Sequence, residues 1–107
     1  MSRFTDVLER LQATIESRKG GDPSASWTAK LLADPSLAAK KVGEEALEAA
    51  LAAAKGDKDE LAAESADLVY HWLVLLTASG VSLDEVAAKL EAREGKSGIA
   101  EKASRGA

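Results

Sequence analysis

Two helical stretches of about twenty residues meet at Gly56-Asp57, and a joint that short makes them antiparallel neighbours. The first opens at Asp34-Pro35, an Asp N-cap followed by proline at the first helical position, and runs to Lys55, where Gly56 closes it. The second follows Asp57-x-x-Glu60, which reads as a capping box, and ends near Ser79. Three further segments surround this pair. Phe4, Val7, Leu8, Leu11 and Ile15 recur at helical spacing and predict an amphipathic helix from Ser2 to Lys19, stopped by Gly20-Gly21-Asp22-Pro23. Ser26 to Ala33 forms a short segment carrying Trp27, Leu31 and Leu32, and Ser82-x-x-Glu85 opens a fifth helix that ends near Arg93. The polar tail from Glu94 to Ala107 is assigned no element.

Sheet architectures lack their raw material. Only 12 of the 107 residues are β-branched, against 22 Ala and 14 Leu. The expected fold is therefore all-α, a single domain over residues 1–107. Without cysteine there is no disulfide frame, thiolate metal site or thiol nucleophile, and a cytoplasmic location is expected. No apolar run approaches the roughly 20 residues of a membrane span, and the polar start Met1-Ser2-Arg3-Phe4-Thr5-Asp6 lacks the apolar stretch of an export signal. Neither a membrane nor a nucleic acid is an expected partner, since the net charge of −4 opposes binding through phosphate contacts.

On the third helix Val42, Ala46, Ala49, Ala50 and Ala53 form a small-residue face, expected to pack closely against its neighbour. From Leu68 to Leu76 the fourth helix is apolar nearly all round, more than five such helices can enclose, so a homodimer with this helix at the interface is expected.

The acids are not evenly spread. Glu44, Glu45 and Glu48 project from one side of the third helix, expected opposite its alanine face, and Glu64 and Asp67 stand one turn apart on the fourth. Like charges so close repel, and an acid buried without a partner costs several kcal/mol or takes up a proton. A solvated acidic face gives the same pattern of residues when taken alone. However, 15 residues separate Glu48 from Glu64 with the turn midway between them, so the two acidic groups come level across the helix pair. All-oxygen ligation suits Mg²⁺ or Mn²⁺, whereas Zn²⁺ recruits His or Cys. The lone His71 follows Glu64 by seven residues, which does not match the Glu-x-x-His of di-iron bundles. It is either an ordinary hydrogen-bonded helix residue or one that orients a ligand carboxylate. Lys40 and Lys41 precede Glu44 and Glu45 by four, a spacing that serves helix ion pairs and phosphate contacts equally.

Four segments together resemble the phosphoribosyl-ATP pyrophosphohydrolase family of histidine biosynthesis, within the MazG-like all-α nucleotide pyrophosphohydrolases. They are Ser26-Trp27-Thr28-Ala29-Lys30-Leu31-Leu32, Lys41-Val42-Gly43-Glu44-Glu45-Ala46-Leu47-Glu48, the run from Glu64-Ser65-Ala66-Asp67 through Tyr70-His71 to Leu76, and Ser97-Gly98-Ile99-Ala100-Glu101-Lys102-Ala103-Ser104-Arg105. Trp27, where the family more often has Tyr, and Ala33-Asp34-Pro35-Ser36, in place of a Gly-containing turn, depart from its pattern. The resemblance implies a MazG-like bundle of about five helices. It further implies Mg²⁺-dependent hydrolysis of 1-(5-phosphoribosyl)-ATP to the AMP derivative and pyrophosphate, with Mn²⁺ as the alternative ion. Carried over residue by residue, it makes Glu45, Glu48, Glu64 and Asp67 the metal ligands. Apart from the resemblance, the helical angle of Glu44 places it at the edge of the cluster, where it is expected just outside the ligands or as the proton acceptor, and Arg18, Lys41, Lys102 and Arg105 are expected to contact substrate. The basic tail would then act as a lid gripping phosphate. A house-cleaning nucleoside triphosphate pyrophosphohydrolase and a non-catalytic dimeric helical module are the competing expectations.

Overall fold

The computed structural model describes residues 2–95, and these form five α-helices without a strand. They are α1 (Arg3–Ser17), α2 (Trp27–Ala33), α3 (Pro35–Lys55), α4 (Lys58–Ala78) and α5 (Leu83–Glu91). The expected tail contacts of Lys102 and Arg105 lie outside the described residues.

Local chemistry sets the helix ends. The side chains of Ser2, Ser26, Asp34, Asp57 and Ser82 each accept a hydrogen bond from a backbone N–H in the first turn of the following helix. Gly56 adopts φ 74°, and the paired bonds Asp57 N–H to Ala52 C=O and Gly56 N–H to Ala53 C=O close α3 in a Schellman turn that reverses the chain. Only the Ser82–Glu85 box is reciprocal. At the start of α4 the Glu60 carboxylate accepts instead from Lys55 Nζ at 3.0 Å, because the tight turn brings the last residue of α3 within its reach. α1 also ends earlier than expected, since Arg18 to Gly20 form a turn.

α3 and α4, each of 21 residues, make the most extensive contact in the fold. The core is assembled on α4: Leu73 and Val74 are fully buried and meet Ile15 of α1, Leu31 of α2 and Ala38 of α3. Two polar ties fix the smaller helices to it, the Thr28–Tyr70 hydroxyl pair from α2 and Gln12 Nε2 donating to Thr77 Oγ1 from α1. α5 contributes Leu83 at the edge of the core. No single described helix is long and apolar enough to cross a membrane.

The expected packing face of α3 is corrected. Its buried residues are Ala38, Glu45, Ala49 and Ala52, while Ala46, Ala50 and Ala53 are exposed. Alanines surround α3, so small size does not select a face. Contact with α4 selects it, and the chosen stripe contains Glu45. That acid therefore lies on the packed side of its helix and not opposite it.

Candidate functional site

Because α3 and α4 run antiparallel from one turn, the middle of α3 meets the first half of α4. Glu45 points into this seam and is 7% exposed, Glu48 stands one turn further along at the open rim, and Glu64 reaches in half-buried from α4. Their carboxylate oxygens converge, one from each residue lying within 4.8 Å of the others. Lys41, one turn before Glu45, sets its ammonium 3.7 Å from Glu45 Oε1.

One ammonium at that distance does not neutralise three carboxylates. Glu64 carries the consequence: its carboxyl is pushed up to about 7, first by a proton shared with the Glu48 carboxylate, then by burial, then by Glu45 and the repulsion of both neighbours. Glu45 Oε2 and Glu64 Oε2 are buried and accept no hydrogen bond. An ionised oxygen in such a position is expensive unless a cation or donor meets it, and each of the two helices contributes one unpartnered oxygen to the seam. Hard oxygen donors, more than one of them anionic, match Mg²⁺ or Mn²⁺ in number and type. The donor set fits such an ion.

The other expected site residues are placed differently. Asp67 is exposed one turn beyond Glu64, and its carboxylate is not among the converging oxygens. Glu44 is exposed on the flank of α3. Arg18 follows the end of α1, and because Gln12 of that helix bonds Thr77, it stands at the far end of the bundle. Thr77 is more than three turns beyond Glu64, about 20 Å along the axis, so Arg18 is not brought to the acids.

Among the described residues His71 makes no hydrogen bond to a carboxylate of the cluster. Its Nδ1–H donates to the Asp67 backbone carbonyl at 2.8 Å, and the ring packs edge-on to Tyr70. The other ring nitrogen, Nε2, is buried without a partner. Seven residues, close to two helical turns, put His71 on the same side of α4 as Glu64, but which atom it bonds is decided by the side-chain rotamer. The raised Glu64 carboxyl is likewise not legible from spacing, since it depends on how closely the two helices approach.

The sequence profile of the phosphoribosyl-ATP pyrophosphohydrolase family matches residues 8–94, a span that contains the three converging acids and Lys41. The chain belongs to this family. A phosphoribosyl-ATP pyrophosphatase of Caulobacter vibrioides is 75% identical over 103 residues, 96% of each chain. Another, from a Caulobacter species, is 69% identical over 98% of each chain. One from Cereibacter sphaeroides is 63% identical over 94% of this chain and 98% of its own. As a phosphoribosyl-ATP pyrophosphohydrolase family member, the chain thus matches these relatives along almost their whole length.

Proposed function

We propose that the chain, as one domain over residues 1–107, hydrolyses phosphoribosyl-ATP to phosphoribosyl-AMP and pyrophosphate, the histidine-biosynthesis reaction, with a divalent ion held between α3 and α4. The supporting observation is the pair of buried, unpartnered oxygens, Glu45 Oε2 and Glu64 Oε2, within a cluster of three carboxylates. A triphosphate is anionic and an acid-lined seam repels it, so cation and substrate must meet there together. Bound Mg²⁺ or Mn²⁺ would supply the missing positive charge and bring a water and phosphate oxygens into one coordination sphere.

In this reading Glu45, Glu48 and Glu64 hold the ion, and Asp67 adds a carboxylate from the exposed side of α4. Glu64 gives up its proton as the ion binds. Glu44, exposed beside the cluster, accepts the proton of the attacking water. The Lys41 ammonium meets phosphate oxygens. Arg18, and Lys102 and Arg105 of the tail, are proposed to contact substrate phosphate. Pyrophosphate release from phosphoribosyl-ATP, compared with dATP, dCTP and dUTP, tests the assignment. Preferential turnover of phosphoribosyl-ATP is expected, equal or better turnover of the ordinary triphosphates supports the house-cleaning reading, and none with any of them contradicts both.

The Glu64 proton predicts a pH effect on the metal-free protein. An unfolded glutamate titrates near 4.5, whereas in the fold Glu64 titrates near 7, so between these values the native state holds more protons than the unfolded one. Stability present at the acidic end of that window is lost as the pH rises through about 7. The melting temperature of EDTA-treated protein should fall from pH 6 to pH 8, saturating Mg²⁺ should remove most of the fall, and Glu64→Gln should flatten it without metal. A profile that does not respond to either change contradicts the role given to Glu64.

We also propose that the chain acts as a homodimer in the cytoplasm. The fourth helix, expected at the interface, exposes no large apolar residue, so the proposed face shifts to Phe4 and Val7 on α1 and Leu47 and Leu51 on α3, which are exposed. A shallow groove lined by Phe4, Val7, Leu11, Ala62, Ala66 and Val69 lies beside the first pair. Sedimentation at micromolar concentration should give twice the chain mass, and a monomer throughout would contradict the dimer.

A further inference from the structure

The ammonium of Lys41 stands where a metal ion would compete with it. It is 3.7 Å from Glu45 Oε1, well beyond the roughly 2.7–2.9 Å of a direct charge-assisted hydrogen bond, so the contact is a loose electrostatic one. The two partners differ in freedom. The Glu45 side chain is 9% exposed and fixed in the α3–α4 seam, while that of Lys41 is 27% exposed on a flexible four-carbon stem that lets its head swing outward without backbone movement. Glu45 Oε2, the other oxygen of the same carboxylate, is buried and unpartnered, and the carboxylate itself converges with those of Glu48 and Glu64. A divalent ion satisfying that oxygen would give Glu45 a stronger partner than Lys41 and would repel the nearby ammonium at the same time.

Resting on the function proposed above, we infer that Lys41 couples the two ligands of this site, neutralising Glu45 while the divalent cation is absent and passing to the nucleotide polyphosphate when both bind. Drawing Lys41 away from Glu45 removes a competitor of the ion, so the nucleotide tightens cation binding. By linkage the cation tightens nucleotide binding by the same factor. The neighbouring Lys40 is exposed and carries the same charge, yet it does not pair with Glu45, so it provides the control for a general charge effect.

The test is a calorimetric titration of the full chain with Mn²⁺ at pH 8, with and without α,β-methylene-ATP, in the wild type, Lys41→Met, Lys41→Arg and Lys40→Gln. In Lys41→Met, Mn²⁺ alone should bind about tenfold more tightly, and the further tightening produced by the nucleotide should shrink about tenfold. Lys41→Arg should restore most of the coupling, and Lys40→Gln should stay within about twofold of the wild type. Unchanged or weaker Mn²⁺ binding in Lys41→Met, or an undiminished nucleotide effect, overturns the inference and leaves the enzymatic reading intact. Loss of affinity that Lys41→Arg shares, with a changed circular dichroism spectrum in both, identifies a structural lysine and also overturns it. A wild type that binds no Mn²⁺ in either condition overturns the inference and the metal-dependent function together.

Discussion

Glu48→Gln is expected to lower turnover of phosphoribosyl-ATP by roughly a thousandfold, about 4 kcal/mol of transition-state stabilisation, while the helices stay intact. Glu48 is exposed at the rim of the cluster, so losing its charge leaves no buried hole or orphaned core group. What disappears is one carboxylate of the proposed ligand set and the neighbour that raises the Glu64 carboxyl most. The metal-free variant should therefore be no less stable than the parent at neutral pH, because a source of repulsion has gone. Asp67→Asn should follow the same pattern, with an unchanged circular dichroism spectrum and severely reduced kcat. Near-normal activity in both variants would remove these acids from the mechanism.

The largest effect on stability is expected at Leu73→Ala. Leu73 is fully buried on α4 where Ile15, Leu31, Ala38 and Val74 meet, so truncation opens a cavity touched by four helices and costs about 3–4 kcal/mol. Small domains have only about 5–15 kcal/mol in total, which makes this a large fraction of the stability. Urea denaturation should show the midpoint shift with little change in slope, and the folded fraction at low temperature should retain its Mn²⁺ affinity. A loss below about 1 kcal/mol would contradict the placement of the core on α4.

These two substitutions separate what the sequence made legible from what it did not. Helix ends were legible because their causes are local: Asp34-Pro35, Gly56 and Ser82-x-x-Glu85 act within a few residues, and the structure puts caps at each. The pairing of α3 with α4, and with it the meeting of Glu45, Glu48 and Glu64, followed from the length of one turn. The rotation of α3 about its own axis did not follow. Alanine on every side leaves that angle to tertiary contact, which is why Ala46, Ala50 and Ala53 face outward and Glu45 faces inward. Rotamers decide the rest of the site. Asp67 shares a helix with Glu64 one turn away, but spacing does not say that its carboxylate would lie outside the converging group, nor that its carbonyl would hold the His71 ring.

Two helices presenting carboxylates to a shared hard cation are what the proposed reaction requires, and anomalous diffraction from a crystal grown with Mn²⁺ tests that most directly. The expected result is a manganese peak at about 2.1–2.2 Å from oxygens of Glu45, Glu48 and Glu64. Side chains of these three residues turned out to solvent, with no peak in the α3–α4 seam at saturating Mn²⁺, would contradict it.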